Sequence, residues 1–387
     1  MSRPELEFSP AELRRHALTF LVEAVRRDDG LFPYSTLVRS GAYVHDFDHP
    51  AAIRYSINSL LGLQAAARHD PGELSPEEVS ALTERFLERH LERIATPADV
   101  GLLLALLCDG ELATRRASEL LARVESTARS SAARRLTMQD ASWMLWGACA
   151  AAHAGHRTAA ATARTIAELI LGRFVDPSSG LPRHSLRHYR GDIVSFGALT
   201  YFLRGMFEFS RLADDEPARR AFERGVDAVV AIQGNRGEWP WLISVRRGIP
   251  LEFYPVFAVH QDSMSMLFLL PALESGCRVD EVIARSFSWI LGRNELSAPM
   301  IEQDPFVAYR SIERAERVPR MRRYVRASAG SLARASGGLA SGHGVRINRE
   351  CRSYHLGWIL YAWSGPTGDA AAKTAVASLS TGPAGGG

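Results

Sequence analysis

The chain alternates between two kinds of helical segment. In 10–27 the apolar positions Leu13, Ala17, Phe20, Leu21, Ala24 and Val25 fall on one stripe, and charged residues fill the rest. Such a helix lies on a surface. In 51–68, opened by Pro50, apolar residues such as Ile53, Ile57, Leu60, Leu61 and Leu63 occur nearly all round. Such a helix is buried. The alternation recurs: 76–94 is amphipathic and 97–107 apolar, then 111–130 and 140–153, 158–174 and 192–209, 216–232 and 262–273, 280–291 and 354–363. Six surface helices are each followed by a buried one.

Self-similarity with a period of roughly 40 to 50 residues signals stacked helical hairpins. The inner segments are too apolar to line an open groove, so the stack is expected to close into a ring. The predicted fold is all-α, a single (α/α)6 toroid over 1–365. It has twelve principal helices and essentially no sheet. Residues 366–387, rich in Ala, Gly, Ser and Thr, read as a disordered tail. Loop lengths are asymmetric. Connections from buried to surface helix are often short, as at 109–110 and 155–156, whereas 28–49, 175–191, 233–261 and 292–353 are long. Long connections tend to be functional. In a hairpin ring they all fall at one mouth, where the inner helices begin.

Composition narrows the picture modestly. The chain has 387 residues, 46% of them hydrophobic, and a formal charge of +3. That balance does not argue for a nucleic-acid partner. No apolar run is long enough to span a bilayer, and no signal peptide is recognised. Cys108, Cys149, Cys277 and Cys351 are scattered without a CxxC pair, which reads as a reduced, cytoplasmic protein. The oligomeric state is left open.

The candidate chemistry collects at the expected mouth. Asp48, Asp99, Asp140, Asp192 and Asp262 open inner helices. Each reads singly as a helix cap. Converging on one funnel, carboxylates could instead divide acid and base roles. Asp262, Asp48, Asp140, Asp192 and Glu238 are therefore the catalytic candidates, with Asp262 first. Arg54, Tyr55, Trp143, Trp239, Trp241, Tyr254, His260, Gln261, Arg352, Tyr354 and His355 are the candidate substrate-binding residues. Trp239 and Trp241, in a Gly/Pro loop, read as platforms for a ring-shaped or apolar ligand. The arginine-rich connection 292–352 reads as a solvated excursion or as a lid over an anionic substrate. His45, Asp46, Asp48 and His49 have ligand-type chemistry, but their spacing favours a hydrogen-bond network over a metal. No metal and no cofactor are expected.

The whole chain resembles the six-hairpin (α/α)6 toroids, which include glycosidases, uronyl hydrolases, lyases, sugar epimerases and the terpene-cyclase-like toroids. Gln233, Gly237 and Trp239 match the QxxxGxW spacing of squalene-cyclase-type proteins, once, without their DxDD motif. Gly237-Glu238-Trp239-Pro240-Trp241 followed by 255–264 is similar to toroid proteins of bacterial polysaccharide clusters. The resemblance implies a carbohydrate-active enzyme working on a glycan by carboxylate acid/base chemistry, as a hydrolase, lyase or epimerase. The alternatives are a toroid acting on an isoprenoid and a non-catalytic glycan- or protein-binding scaffold.

Overall fold

The structure, a computed structural model, describes residues 8–25, 27–110, 114–186, 191–315 and 344–380. The surface helices are α1 (Pro10–Thr19, continued by a π turn Phe20–Ala24), α3 (Pro76–His90), α5 (Thr114–Arg129), α7 (Ala159–Leu169), α9 (Glu216–Val230) and α11 (Asp280–Ile290). The inner helices are α2 (Ala52–His69), α4 (Pro97–Asp109), α6 (Met138–His153), α8 (Phe196–Ala213), α10 (Met266–Glu274, preceded by a π turn His260–Met264) and α12 (Ser353–Trp363). Each inner helix packs against the next, and α12 packs against α2. That last contact closes the ring. It is a toroid of six hairpins, as the periodicity implied.

Small residues let the inner helices approach. A Cβ on Gly62 of α2 would meet the Gly357 carbonyl oxygen of α12 at 2.1 Å, and one on Gly147 of α6 would meet the Gly101 oxygen of α4 at 2.2 Å. Any side chain there would push the barrel open. The bore is filled by rings rather than left hollow. Trp143 and Tyr201 lie 4.8 Å apart, Tyr201 and Trp358 5.9 Å, Trp358 and Trp146 5.9 Å, and Trp146 and Tyr361 5.3 Å.

Two expectations need correction. Short strands are present: β1 (Ser35–Arg39), β2 (Ala42–Asp46), β3 (Ile193–Ser195), β4 (Leu242–Ser244), β5 (Ile249–Glu252), β6 (Val256–Phe257), β7 (Ile301–Gln303), β8 (Phe306–Ala308), β9 (Ser311–Arg314) and β10 (Val345–Asn348). All lie within the long connections except β3, which takes the first residues of the segment expected to open α8. They pair as β1–β2, β10–β9–β6, β3–β4–β5 and β7–β8. Loops of that length must satisfy their own buried amides, and ladders do so. Second, residues 366–380 do not form a tail but a helix, α13 (Pro366–Ser380), packed on α1, α10, α11 and α12. Ala371 and Ala372 are buried in that packing, so the Ala-rich composition serves close helix contact. Residues 381–387 lie outside the described residues.

Candidate active site

The π turn His260–Met264 and the start of α12 meet at the mouth. Asp262 is 1% exposed and His355 1% exposed. The Nε2 of His355 lies 2.8 Å from Asp262 Oδ1 and 2.8 Å from Oδ2. Ser263 Oγ donates to Asp262 Oδ1 at 2.9 Å, and Trp363 Nε1 donates to the Asp262 backbone oxygen at 2.5 Å. Asp262 is therefore no helix cap. A π turn adds one residue to the helical register, which turns a side chain that an α-helix would aim elsewhere. His260 is buried, and burial together with the nearby His355 pulls its pKa down to about 3, so its imidazole stays neutral.

Around this pair stands a half-buried rim. Tyr34, Tyr55 and Tyr354 form a run of rings, with centroids 5.2 Å apart for Tyr34–Tyr55 and 4.4 Å for Tyr55–Tyr354. His49 stacks on Tyr34 at 3.5 Å, and the Arg352 guanidinium sits over the same ring at 3.6 Å. Burial raises the Tyr55 and Tyr354 phenols above their usual range, so both remain protonated donors. On the other side Arg54 Nε donates to Asp99 Oδ1 at 2.5 Å and lies over Trp143 at 5.5 Å.

The arginines of the mouth are ion-paired in place, two of them on one carboxylate. Glu350 Oε2 accepts from Arg310 at 2.8 Å and from Arg352 at 2.5 Å, and Glu252 accepts from Arg314 at 3.0 Å. Several buried polar atoms have no protein partner: Trp143 Nε1, His260 Nδ1, Gln261 Oε1 and Arg352 Nε. Buried polar groups are normally paired, so this concentration marks a place for water or a ligand.

Other sequence candidates are engaged elsewhere. Asp140 forms a capping box with Thr137 at the start of α6, accepting from its amide at 2.9 Å. Asp192, just before β3, accepts from the Arg246 amide at 2.9 Å and so ties the β4–β5 turn to β3. Asp48 is exposed beyond β2, where Asp46 Oδ1 accepts from the Asp48 amide at 3.1 Å. His45 Nδ1 lies 2.9 Å from Thr36 Oγ1, so this segment is a hydrogen-bond network. No group of His, Cys, Asp and Glu suited to a metal occurs among the described residues.

Glu238 is 2% exposed and folded back on its own turn, accepting from the Arg236 amide at 2.9 Å; burial raises its pKa. Trp239 is fully buried, stacked on Phe196 at 5.1 Å with Nε1 donating to Ser286 Oγ at 2.8 Å. It is core, not a platform. Trp241 is half-buried at the entry to β4, and Tyr254 is 3% exposed beneath the Arg314 guanidinium at 4.9 Å. The QxxxGxW spacing has a structural meaning here. Gln233 Nε2 donates to Gly237 O at 3.2 Å and to Val282 O of α11 at 3.1 Å, and Gly237 at φ +95 lies against Arg285 O. The motif ties the end of α9 to α11. Residues 316–343 of the arginine-rich connection, and with them the expected lid, lie outside the described residues.

Sequence reasoning missed Tyr34, Tyr201 and Glu350, and had Arg310 only as part of the arginine-rich connection. Tyr201 follows five residues after the start of its inner helix, the same depth as Trp143, and that shared register was the available signal. No family model matches the sequence, and no curated protein matches it. Solved structures do match in shape. Cellobiose 2-epimerase from Bacillus thermoamylovorans B4167 superposes with a TM-score of 0.60 at 11% identity, over 92% of this chain and 98% of that one. An inactive variant of the α-1,6-mannanase of Salegentibacter sp. HEL1_6, in complex with α-1,6-mannotriose, gives 0.58 at 11% identity, over 95% and 99%. The unsaturated glucuronyl hydrolase of Bacillus sp. GL1 gives 0.55 at 12% identity, over 90% and 93%. The fold is the (α/α)6 toroid. These structural neighbours are carbohydrate-active enzymes.

Proposed function

We propose that this toroid is an enzyme that binds a sugar at the mouth and moves a proton on it, with His355 as the acid/base and Asp262 as its orienting partner. The observation that carries this reading is the buried imidazole–carboxylate pair at 2.8 Å, on adjacent inner elements beneath a rim of tyrosines. An imidazole held by a carboxylate through one nitrogen keeps the other for proton exchange. With Nε2 committed to Asp262, Nδ1 is the exchanging atom. Tyr55 and Tyr354, protonated donors at neutral pH, are suited to sugar hydroxyls and ring faces. The fully buried Asp262 then serves through His355 rather than by touching substrate.

Proton transfer, as in an epimerase or lyase, is favoured over hydrolysis by paired carboxylates. Hydrolysis of that kind needs two carboxyl groups flanking one bond. Of the second-carboxylate candidates, Asp140 accepts in its own helix cap, Asp192 from the Arg246 amide and Glu238 from its own turn, and Asp48 is exposed beyond β2. The isoprenoid alternative relies on Asp48 as proton donor, and its exposure argues against that role. Arg54 is matched by Asp99 and Arg314 by Glu252, while Arg310 and Arg352 share Glu350, so these pairs leave one positive charge for an anionic substrate.

The test is incubation with cellobiose, α-1,6-mannotriose and an unsaturated glucuronyl disaccharide in heavy water, followed by NMR. Deuterium entering a carbon of the sugar, or a new double bond, supports the reading. New reducing ends without deuterium on carbon would establish a hydrolase and overturn it.

A further inference from the structure

The other end of the barrel holds a second cavity. It opens where the inner helices end, about 20 Å from the mouth by the rise of α2 between Arg54 and Arg68. Its volume is about 420 Å³, and Arg68, Arg204, Met266, Glu274, Tyr361 and Thr367 are among its lining residues. That falls within the range of roughly 300–1,000 Å³ typical of small-molecule sites.

Its floor is unusual for a helix-end gap. The Arg204 guanidinium lies over Trp146 at 5.3 Å and over Tyr361 at 5.5 Å, and donates to the Tyr361 hydroxyl at 3.0 Å. Its Nε is buried without a protein partner, and so is Ser364 Oγ on the cavity wall. The roof is the first turn of α13. Gly365, just before Pro366, has no side chain to cap that turn, so the amides of Thr367 and Gly368 lack helical partners. Leu267, Leu270 and Pro271 of α10 supply an apolar wall.

Charge around the cavity is balanced. Glu208 pairs with Arg204 at 2.5 Å, Glu274 with Arg211 at 3.7 Å, and Asp369 with His69 at 3.2 Å and Arg14 at 3.4 Å. Arg68 donates to the Asp109 carbonyl at 2.6 Å, beside that residue's own carboxyl. A ligand entering here meets charges already paired within the protein, with donors and acceptors interleaved, facing an apolar wall. We propose that this cavity is a second binding site, for a neutral polyhydroxylated ligand of one or two sugar rings. Vicinal hydroxyls would bridge the Arg204, Ser364 and α13 donors to Glu274, and the C–H face of the ring would rest on Leu270 and Pro271. The proposal does not depend on the chemistry at the mouth.

Two methionines separate the two ends. Met266 lines this cavity, and Met264 lies 3.9 Å from the Tyr201 hydroxyl at the mouth end. The experiment is NMR of the full chain with isotope-labelled methionine methyl groups, assigned through Met266→Leu and Met264→Leu, and titrated with cellobiose, glucose, inorganic phosphate and acetate. The expected result is saturable movement of the Met266 signal with a sugar. It persists in Tyr55→Ala, and the paired rim substitution Arg68→Ala with Glu274→Ala weakens it about tenfold, the worth of a hydrogen bond or two. Both rim residues are exposed, so the variant is expected to fold, and circular dichroism checks it. A Met266 signal unmoved by either sugar overturns the proposal. So does saturation by phosphate or acetate but not by sugar. Movement of Met266 that tracks Met264 and vanishes with it in Tyr55→Ala would show transmission along the aromatic column, and would also overturn it.

Discussion

His355 Nε2 sits 2.8 Å from both carboxylate oxygens of Asp262, although the two residues are 93 positions apart in sequence. A carboxylate placed symmetrically about one ring nitrogen fixes the orientation of the ring and the proton on that nitrogen. Asp262→Asn would replace this acceptor by an amide and leave the imidazole free to reorient. Turnover of any sugar substrate is expected to fall by about 100-fold or more, the scale of a lost acid/base function. Stability should fall by only about 1–3 kcal/mol, the cost of one unsatisfied buried group. Paired measurement of turnover and melting temperature decides the matter; wild-type turnover in a folded Asp262→Asn protein would remove the pair from catalysis.

His260 predicts a pH dependence. Its folded pKa is lowered to about 3, by burial first and by His355 second, while an unfolded histidine titrates near 6.5. Between those values the unfolded chain binds a proton that the native state refuses. The contribution of His260 is therefore complete above about pH 6.5 and is lost as pH falls toward 3, by at most about 1.4 kcal/mol per pH unit. Buried acids such as Glu238 act in the opposite sense, so the useful quantity is the difference between wild type and His260→Gln. Denaturant unfolding at pH 7 and pH 5 should show that gap narrowing at the lower pH. A gap independent of pH would show that His260 is not held neutral.

Gly237 and Trp239 are predicted to act on stability alone. Gly237→Ala places a Cβ 2.1 Å from the Arg285 carbonyl oxygen at a φ of +95. Strain of that kind costs on the order of 1–3 kcal/mol before any clash is added. Trp239→Phe keeps the ring but removes the bond to Ser286, at about 1 kcal/mol. Unfolding free energies should drop in both, while sugar affinity at the mouth stays at the wild-type value. Lost affinity in a stable Trp239→Phe protein would restore the residue as a ligand platform.

Glu350 sets the charge of the mouth. It accepts from Arg310 and Arg352, and these two arginines hold its carboxyl below the usual range although burial pushes the other way. Glu350→Gln would leave two cations facing the rim with no counter-charge. Affinity for a uronate relative to its neutral sugar is expected to rise by about tenfold, one exposed-to-half-buried ion pair in worth. Calorimetric titration with the matched pair of sugars measures it. An unchanged ratio would mean that the arginines do not face the ligand.

Much of this molecule was written in local pattern. The six pairs of amphipathic and apolar helices, their order and the end at which long loops gather all follow from which positions must leave water, and that is a property of spacing. The arrival of Asp262, His355, Arg54 and Tyr55 at one mouth follows from the same rule, because each lies near the start of an inner helix. Which of them touch was decided only by the folded ring. The aspartates looked alike because a cap and an acid share one sequence signal. The Thr137 box kept Asp140 at its own helix, and the β4–β5 turn held Asp192 through the Arg246 amide. A π turn rotated Asp262 inward onto a histidine from the last inner helix. Trp239 misled for a related reason: Gly and Pro around it signal a loop, but only packing between α9 and α11 shows that this loop is core. Contacts across many tens of residues depend on how the first and last hairpins meet, through Gly62 against Gly357, and no short window of sequence contains both sides of that contact.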